Sequence, residues 1–122
     1  MKALWIDRET NMAKVVETDG KLDSLYKMCH CDCIEIVVRK VGGIPFNIVC
    51  DDEGLLKGDV MYTAFYSDGT PEIAGSICVF SCDDEWGDLA GLKSNELEVL
   101  MNRTVMAMMS DLTSRTILLM DV

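Results

Sequence analysis

Several of the features that identify a function outright are scarce or missing here. Only one of the 122 residues is a histidine and two are prolines, while lysine and arginine number 11 against 21 acidic residues, a formal charge of −10. That shortage of bases excludes unaided nucleic-acid binding, where lysine and arginine must replace the counterions of the phosphates. It equally excludes an electrostatic dock on an anionic membrane surface. No uncharged run approaches the roughly 18 residues that cross a bilayer. The first ten residues, with Lys2, Asp7, Arg8 and Glu9, lack the apolar stretch of an export signal. A cytoplasmic location is therefore expected, with the six cysteines as reduced thiols rather than a disulfide scaffold. There is no P-loop, no GxGxxG after a strand, no GxSxG and no HExxH.

Apolar residues, at 49%, suffice for one core without covalent staples. No repeat, low-complexity tract or proline-rich linker divides the chain, so one domain over 1–122 is expected. Ala3–Ile6 and Met12–Glu17 read as two strands around a polar turn. Leu22, Leu25, Tyr26 and Cys29 recur on one face of a short helix. Ile34, Ile36 and Val38 alternate with Glu35, Val37 and Arg39, and Gly42-Gly43 turns the chain into a second alternating run from Ile44 to Cys50. Pro45 places its part of that strand at a start or an edge.

Val60–Tyr66 has no clean period, and Ile73–Phe80 is the most β-like run, with Gly75 hinting at a bulge. A capping box of Asn95 and Glu98 opens the longest expected helix, whose stripe of Leu97, Leu100, Met101, Thr104, Val105 and Met108 spans three turns. Thr116–Met120 closes the chain as a strand. The pattern predicts an α+β domain: a small antiparallel or mixed sheet with two helices on one face.

The charge is lopsided. Val41–Leu100 holds twelve acids against Lys57 and Lys93, whereas the remainder holds nine acids and nine bases. One reading is an acidic face, formed by Asp51, Asp52, Glu53, Asp59, Asp83, Asp84, Glu85 and Asp88, that steers a basic or DNA-binding protein. The sharpest version is a nucleic-acid mimic. The other reading is solubility alone. Neither Asp51–Gly54 nor Asp83–Glu85 has the alternating ligands of an EF-hand loop.

Cys29-His30-Cys31-Asp32-Cys33 offers Cys29, His30, Cys31 and Cys33 as metal ligands. In an extended segment the three sulfurs would share a side, with His30 opposite and a fourth ligand from Cys50, Cys78 or Cys82. Thiolate and imidazole suit zinc, but zinc pairs are usually separated by two to four residues, and no second knuckle exists. Buried free thiols at a helix-to-strand junction are the competing account. A cysteine nucleophile needs a base within reach, and neighbours in the chain point apart, so no catalytic residue and no cofactor are assigned and a non-enzymatic protein is expected. Met106 and Met109 fall off the helical stripe and could meet a partner or a second copy.

Four stretches together resemble one family. They are Lys2-Ala3-Leu4-Trp5-Ile6-Asp7, the Ile34–Gly43 strand and turn, Asp51-Asp52-Glu53-Gly54-Leu55-Leu56, and Ile73–Phe80 followed by acids. In this order they resemble the domain of unknown function 3846, over roughly the first 100 residues. Members occur in phages, plasmids and integrative elements of gram-positive bacteria, so the resemblance implies a mobile-element accessory protein, with anti-defence or anti-restriction as a possible role. It carries no active-site residue over to this chain. The alternatives are a structural or regulatory domain, as monomer or homodimer, and a zinc- or thiol-dependent protein using the cysteine cluster.

Overall fold

The computed structural model describes residues 1–56, 58, 60–82 and 88–122. Two hairpins form where alternation predicts them. β1 (Lys2–Asp7) pairs with β2 (Met12–Glu17), and β3 (Ile34–Val41) pairs with β4 (Ile44–Asp51) in unbroken antiparallel register. Gly42 and Gly43, at φ 58° and 81°, give the second hairpin a turn with two positive angles, the kind whose twist matches its strands. The Asp121 carboxylate accepts both glycine N–H groups, at 3.0 and 2.7 Å, and fastens the end of the chain to this turn.

Between the hairpins lies α1 (Leu22–Cys29), with Leu25 and Cys29 buried as the stripe predicts. The chain continues as β5 (Tyr62–Tyr66), β6 (Pro71–Ala74), β7 (Ile77–Ser81), α2 (Ser94–Asn102), β8 (Thr104–Met108) and β9 (Ser114–Met120).

The single small sheet expected from the sequence is in fact two sheets. Sheet A is antiparallel, in the order β2-β1-β7-β4-β3, and sheet B, in the order β6-β5-β9-β8, is mixed because β5 and β9 run parallel. Alternation divides sheet A's side chains between two cores. Leu4, Ile6, Phe46, Ile48, Ile77 and Val79 pack with Ala64, Ile73, Leu118 and Met120 of sheet B and with Leu100 of α2. Ala3, Val49, Cys78 and Phe80 point the other way, onto Leu25 and Cys29 of α1. The resulting order is helix, sheet, sheet. Strand β7 is buried along its whole length because both of its faces are covered.

Two further expectations fail for identifiable reasons. The run Ile73–Phe80 is two strands in different sheets, split at Gly75, whose φ of 84° only glycine adopts freely. The long last helix stops at Asn102, and Thr104–Met108 is strand β8. The helical stripe continued by coincidence into a segment whose Thr104 and Val105 are β-branched. The capping box also shifts: Lys93 N donates to Glu96 Oε1 at 2.9 Å, in place of Asn95 and Glu98. No described helix is long and apolar enough to cross a membrane.

Candidate functional site

Strand directions decide which polar residues meet. β1 and β4 end, and β3 and β7 begin, at the same end of sheet A, since Ile6 pairs with Ile77, Val49 with Cys78 and Ile34 with Asp51. α1 also finishes there, and His30 is its left-handed cap at φ 53°. His30 N donates to Lys27 O and Cys31 N to Tyr26 O, the bond pair of a Schellman ending, a position that usually falls to glycine. A histidine there accepts a backbone cost of roughly 1–2 kcal/mol.

The geometry turns the imidazole onto Asp7, the last residue of β1, which is 4% exposed. His30 Nε2 donates to Asp7 Oδ1 at 2.9 Å, and His30 Nδ1 lies 3.6 Å from Glu9 Oε1. Ser76 Oγ (3.2 Å) and Glu9 N (3.1 Å) donate to the same Asp7 oxygen, and Thr10 Oγ1 (3.2 Å) donates to the other. Burial pushes the Asp7 carboxyl pKa up, but the donors from His30, Glu9 and Ser76 together hold it below its ordinary value.

Arg8, next in the chain, turns away. Its guanidinium donates to Thr116 O and, at 3.3 Å, to Asn11 Oδ1, docking the β1–β2 turn onto β9. Its buried Nε has no hydrogen-bond partner among the described residues.

Above this pair lies a cleft of about 190 Å³, lined among others by Glu9, His30, Asp51, Met61 and Ser76. A groove of about 370 Å³ shares Asp51 and Gly54 with it and runs past Glu35 and Asp52. Seven carboxylates therefore gather at one end of sheet A from three segments: Asp7 and Glu9, Asp32 and Glu35, and Asp51, Asp52 and Glu53. Arg8 is the one base on those segments, and Arg39, which also lines the groove, is paired with Glu72 at 3.0 Å. Glu9, Asp32, Glu35, Asp52 and Glu53 are exposed, so repulsion among them is screened by water and salt.

The acidic face expected from the sequence is thus regrouped. Asp51 lines the cleft, Asp52 lines the groove beside it and Glu53 follows them in the chain, but Asp88 lies at the opposite end of sheet A, next to the Ser81–Ala90 bridge. Five to six residues of β4 separate the two ends, about 17–20 Å. Asp59, Asp83, Asp84 and Glu85 lie outside the described residues. Asp7, Glu9, Asp32 and Glu35, from the part of the chain that is neutral overall, join the group instead.

The cysteine cluster is not an extended segment, because Cys29 is helical and His30 left-handed. Cys29 faces the sheet, with its Sγ against Val49 O (3.6 Å), Cys31 is half-buried and Cys33 is exposed. His30 is committed to Asp7. Cys50 lies on the other face of sheet A, in the core shared with sheet B. Among the described residues no group of three His, Cys, Asp or Glu side chains is placed to share a metal ion.

Cys29, Cys50 and Ser76 are not activated as nucleophiles. The hydrogen bond between the neutral Cys29 thiol and Cys78, followed by burial, pushes the Cys29 thiol far above its ordinary value, and burial pushes Cys50 up to about 12. Ser76 Oγ donates to Asp7 and accepts from Arg8 N (2.9 Å), so its hydroxyl is already committed.

Residues 1–105 match the model of the domain of unknown function 3846 (DUF3846). The chain belongs to that family. The match contains all of sheet A and both helices and ends within β8, so β9, the strand between β5 and β8, lies beyond it. No curated protein and no solved structure matches this DUF3846 chain. The sequence pattern missed the centre of the site because Asp7 and His30 are 23 residues apart. The one available signal was a lone histidine directly after a helical stripe.

Proposed function

We propose that this DUF3846 chain is a non-enzymatic binding factor, and that the acidic end of sheet A receives a basic protein partner. The observation that carries the reading is that seven carboxylates from three separate segments share one end of sheet A, where Glu9 and Asp51 line the cleft and Glu35 and Asp52 the groove beside it. Such a surface raises the local concentration of lysine- and arginine-rich partners and speeds their approach. The partner class is a basic surface of the kind that nucleic-acid-binding proteins carry. In a mobile element the binding would serve an anti-restriction or other anti-defence role. The Asp7–His30 pair is the rigid floor of the site: it fixes the β1–β2 turn that carries Glu9 against the end of α1. Cytoplasmic location and the absence of a cofactor belong to the same reading.

Affinity capture from host lysate across a salt series tests it, with the full chain compared with a Glu35→Lys, Asp52→Lys, Glu53→Lys variant. The reading requires capture of a basic protein that weakens with salt and is lost in the variant. Equal capture by both chains would sink it. The acidity would then serve solubility, in a structural or regulatory domain. Stoichiometric zinc in freshly purified protein would instead favour the cysteine cluster.

A further inference from the structure

Among the described residues the two sheets have four edge strands, β2 and β3 in sheet A and β6 and β8 in sheet B. An edge strand is a template for pairing with another chain, and soluble proteins usually blunt it with charge or proline. Three of the four edges are blunted in that way. β2 carries Lys14 and Glu17, β3 carries Glu35, Arg39 and Lys40, and β6 begins with Pro71 and Glu72. β8, Thr104-Val105-Met106-Ala107-Met108, has no charge and no proline. Its Met106 and Met108 side chains are 62% and 66% exposed, on a chain whose formal charge is −10.

The ladder fixes which backbone groups are open. Leu119 N donates to Arg103 O and Met109 N to Thr113 O, so the odd-numbered residues of β8 bond to β9. In an antiparallel ladder the alternate residues face the other way. The N–H and C=O groups of Thr104, Met106 and Met108 therefore point away from β9, along the open edge.

We propose that β8 is a self-association edge whose occupant is β8 of a second copy of this chain, antiparallel about Met106. This register is self-complementary. Met106 pairs with Met106 and Thr104 with Met108, each as a hydrogen-bonded pair, and the four methionine side chains of the two copies share one face. The two four-stranded sheets become one sheet of eight. The register also brings Arg103, at the start of β8, alongside the turn that carries Asp111 in the other copy, so opposite charges meet at both ends of the uncharged strand. Such a two-fold contact closes on itself and does not propagate. A five-residue strand pair is smaller than the roughly 1,200–2,000 Å² of a standard interface. The dimer is accordingly weak, with half-association at about 10–300 µM. It is independent of the acidic end and answers to salt in the opposite sense. Screening the repulsion between two strongly acidic copies strengthens the dimer, whereas it weakens capture of a basic partner.

The test is sedimentation velocity of the full chain from about 5 to 500 µM, spanning the expected half-association range, at low and high salt. Amide exchange is followed at low and high concentration. The dimer fraction rises with both concentration and salt, and the Met106 and Met108 amides exchange about twofold to tenfold more slowly at high concentration, in proportion to the fraction of chains left monomeric. The Val105 and Ala107 amides, already bonded to β9, do not change. Met106→Lys, at an exposed position, weakens association at least tenfold while the folded-state circular dichroism is retained. A chain that stays monomeric over the whole range overturns the proposal. So does a dimer in which the Met106 amide exchanges at the monomer rate, a readout on the native chain that does not depend on how the variant folds.

Discussion

Replacing Asp7 by asparagine tests whether the floor of the cleft is held by charge. The side chain keeps its size and one acceptor oxygen, and the new amide group can donate to Thr10 Oγ1, which donates to Asp7 in the native chain. What is lost is the ionic character of the bonds from His30 Nε2, Ser76 Oγ and Glu9 N, which converge on a single oxygen. A bond to a charged group contributes about 1.5–3 kcal/mol and a neutral one about 0.5–1.5, so each change alone costs about 1 kcal/mol, and three that share one oxygen cost about 2–3 kcal/mol together. Urea unfolding at pH 6 measures this as a lower midpoint at unchanged slope, and heating as a Tm lowered by about 8–12 °C.

The pH dependence gives a second check. Because the folded Asp7 pKa lies below its ordinary 3.8, its contribution is fully present above that value and is lost as pH falls through the folded one. Native protein therefore loses stability below pH 3.8 more steeply than Asp7→Asn does, since the variant has no proton to gain at this position. A loss under about 1 kcal/mol at pH 6, the size of one neutral hydrogen bond, would refute the argument, as would parallel acid limbs.

Two further outcomes follow from the fold. Gly75→Ala places a Cβ 4.0 Å from Asp51 Cβ, an ordinary contact, so its cost is the positive φ alone, about 1–2 kcal/mol by urea unfolding. A neutral result would mean that the β6–β7 joint is not fixed at that angle. With a thiol reagent at pH 8, exposed Cys33 reacts first, while Cys29, Cys50 and Cys78 stay protected until the domain opens. Mass spectrometry of the labelled peptides would expose the error if Cys29 kept pace with Cys33.

Local pattern carried much of this fold. Both hairpins and α1 were legible from their turn residues and the helical stripe, although β1 and β4 bury both faces and Ile36 and Val38, on the alternating apolar face of β3, are half exposed. The two failures have separate causes. Ile73–Phe80 runs through Gly75 without a break in hydrophobicity, since β7 is buried on both sides and shows no alternation. Leu97–Met108 kept a helical spacing across Arg103, although the chain there leaves the helix for an edge strand. The site was less legible still. Counting along the chain assigned the charge to one half, whereas antiparallel pairing sorts residues by strand end. It joined Glu9 and Glu35 to Asp52 and sent Asp88 to the far side.

The place of β9 bears on how the protein is made. Synthesis runs from the amino terminus, and domains tend to fold as their segments emerge. Every strand of sheet A has left the ribosome once Ser81 has, but β5 and β8 have no common neighbour until Ser114–Met120 follows. During that interval Phe46, Ile48 and Val79 lack the Leu118 and Met120 that cover them in the finished domain. The growing chain thus carries an open apolar sheet face from the emergence of Ser81 to that of Met120, the interval in which chaperone capture or aggregation would decide its yield.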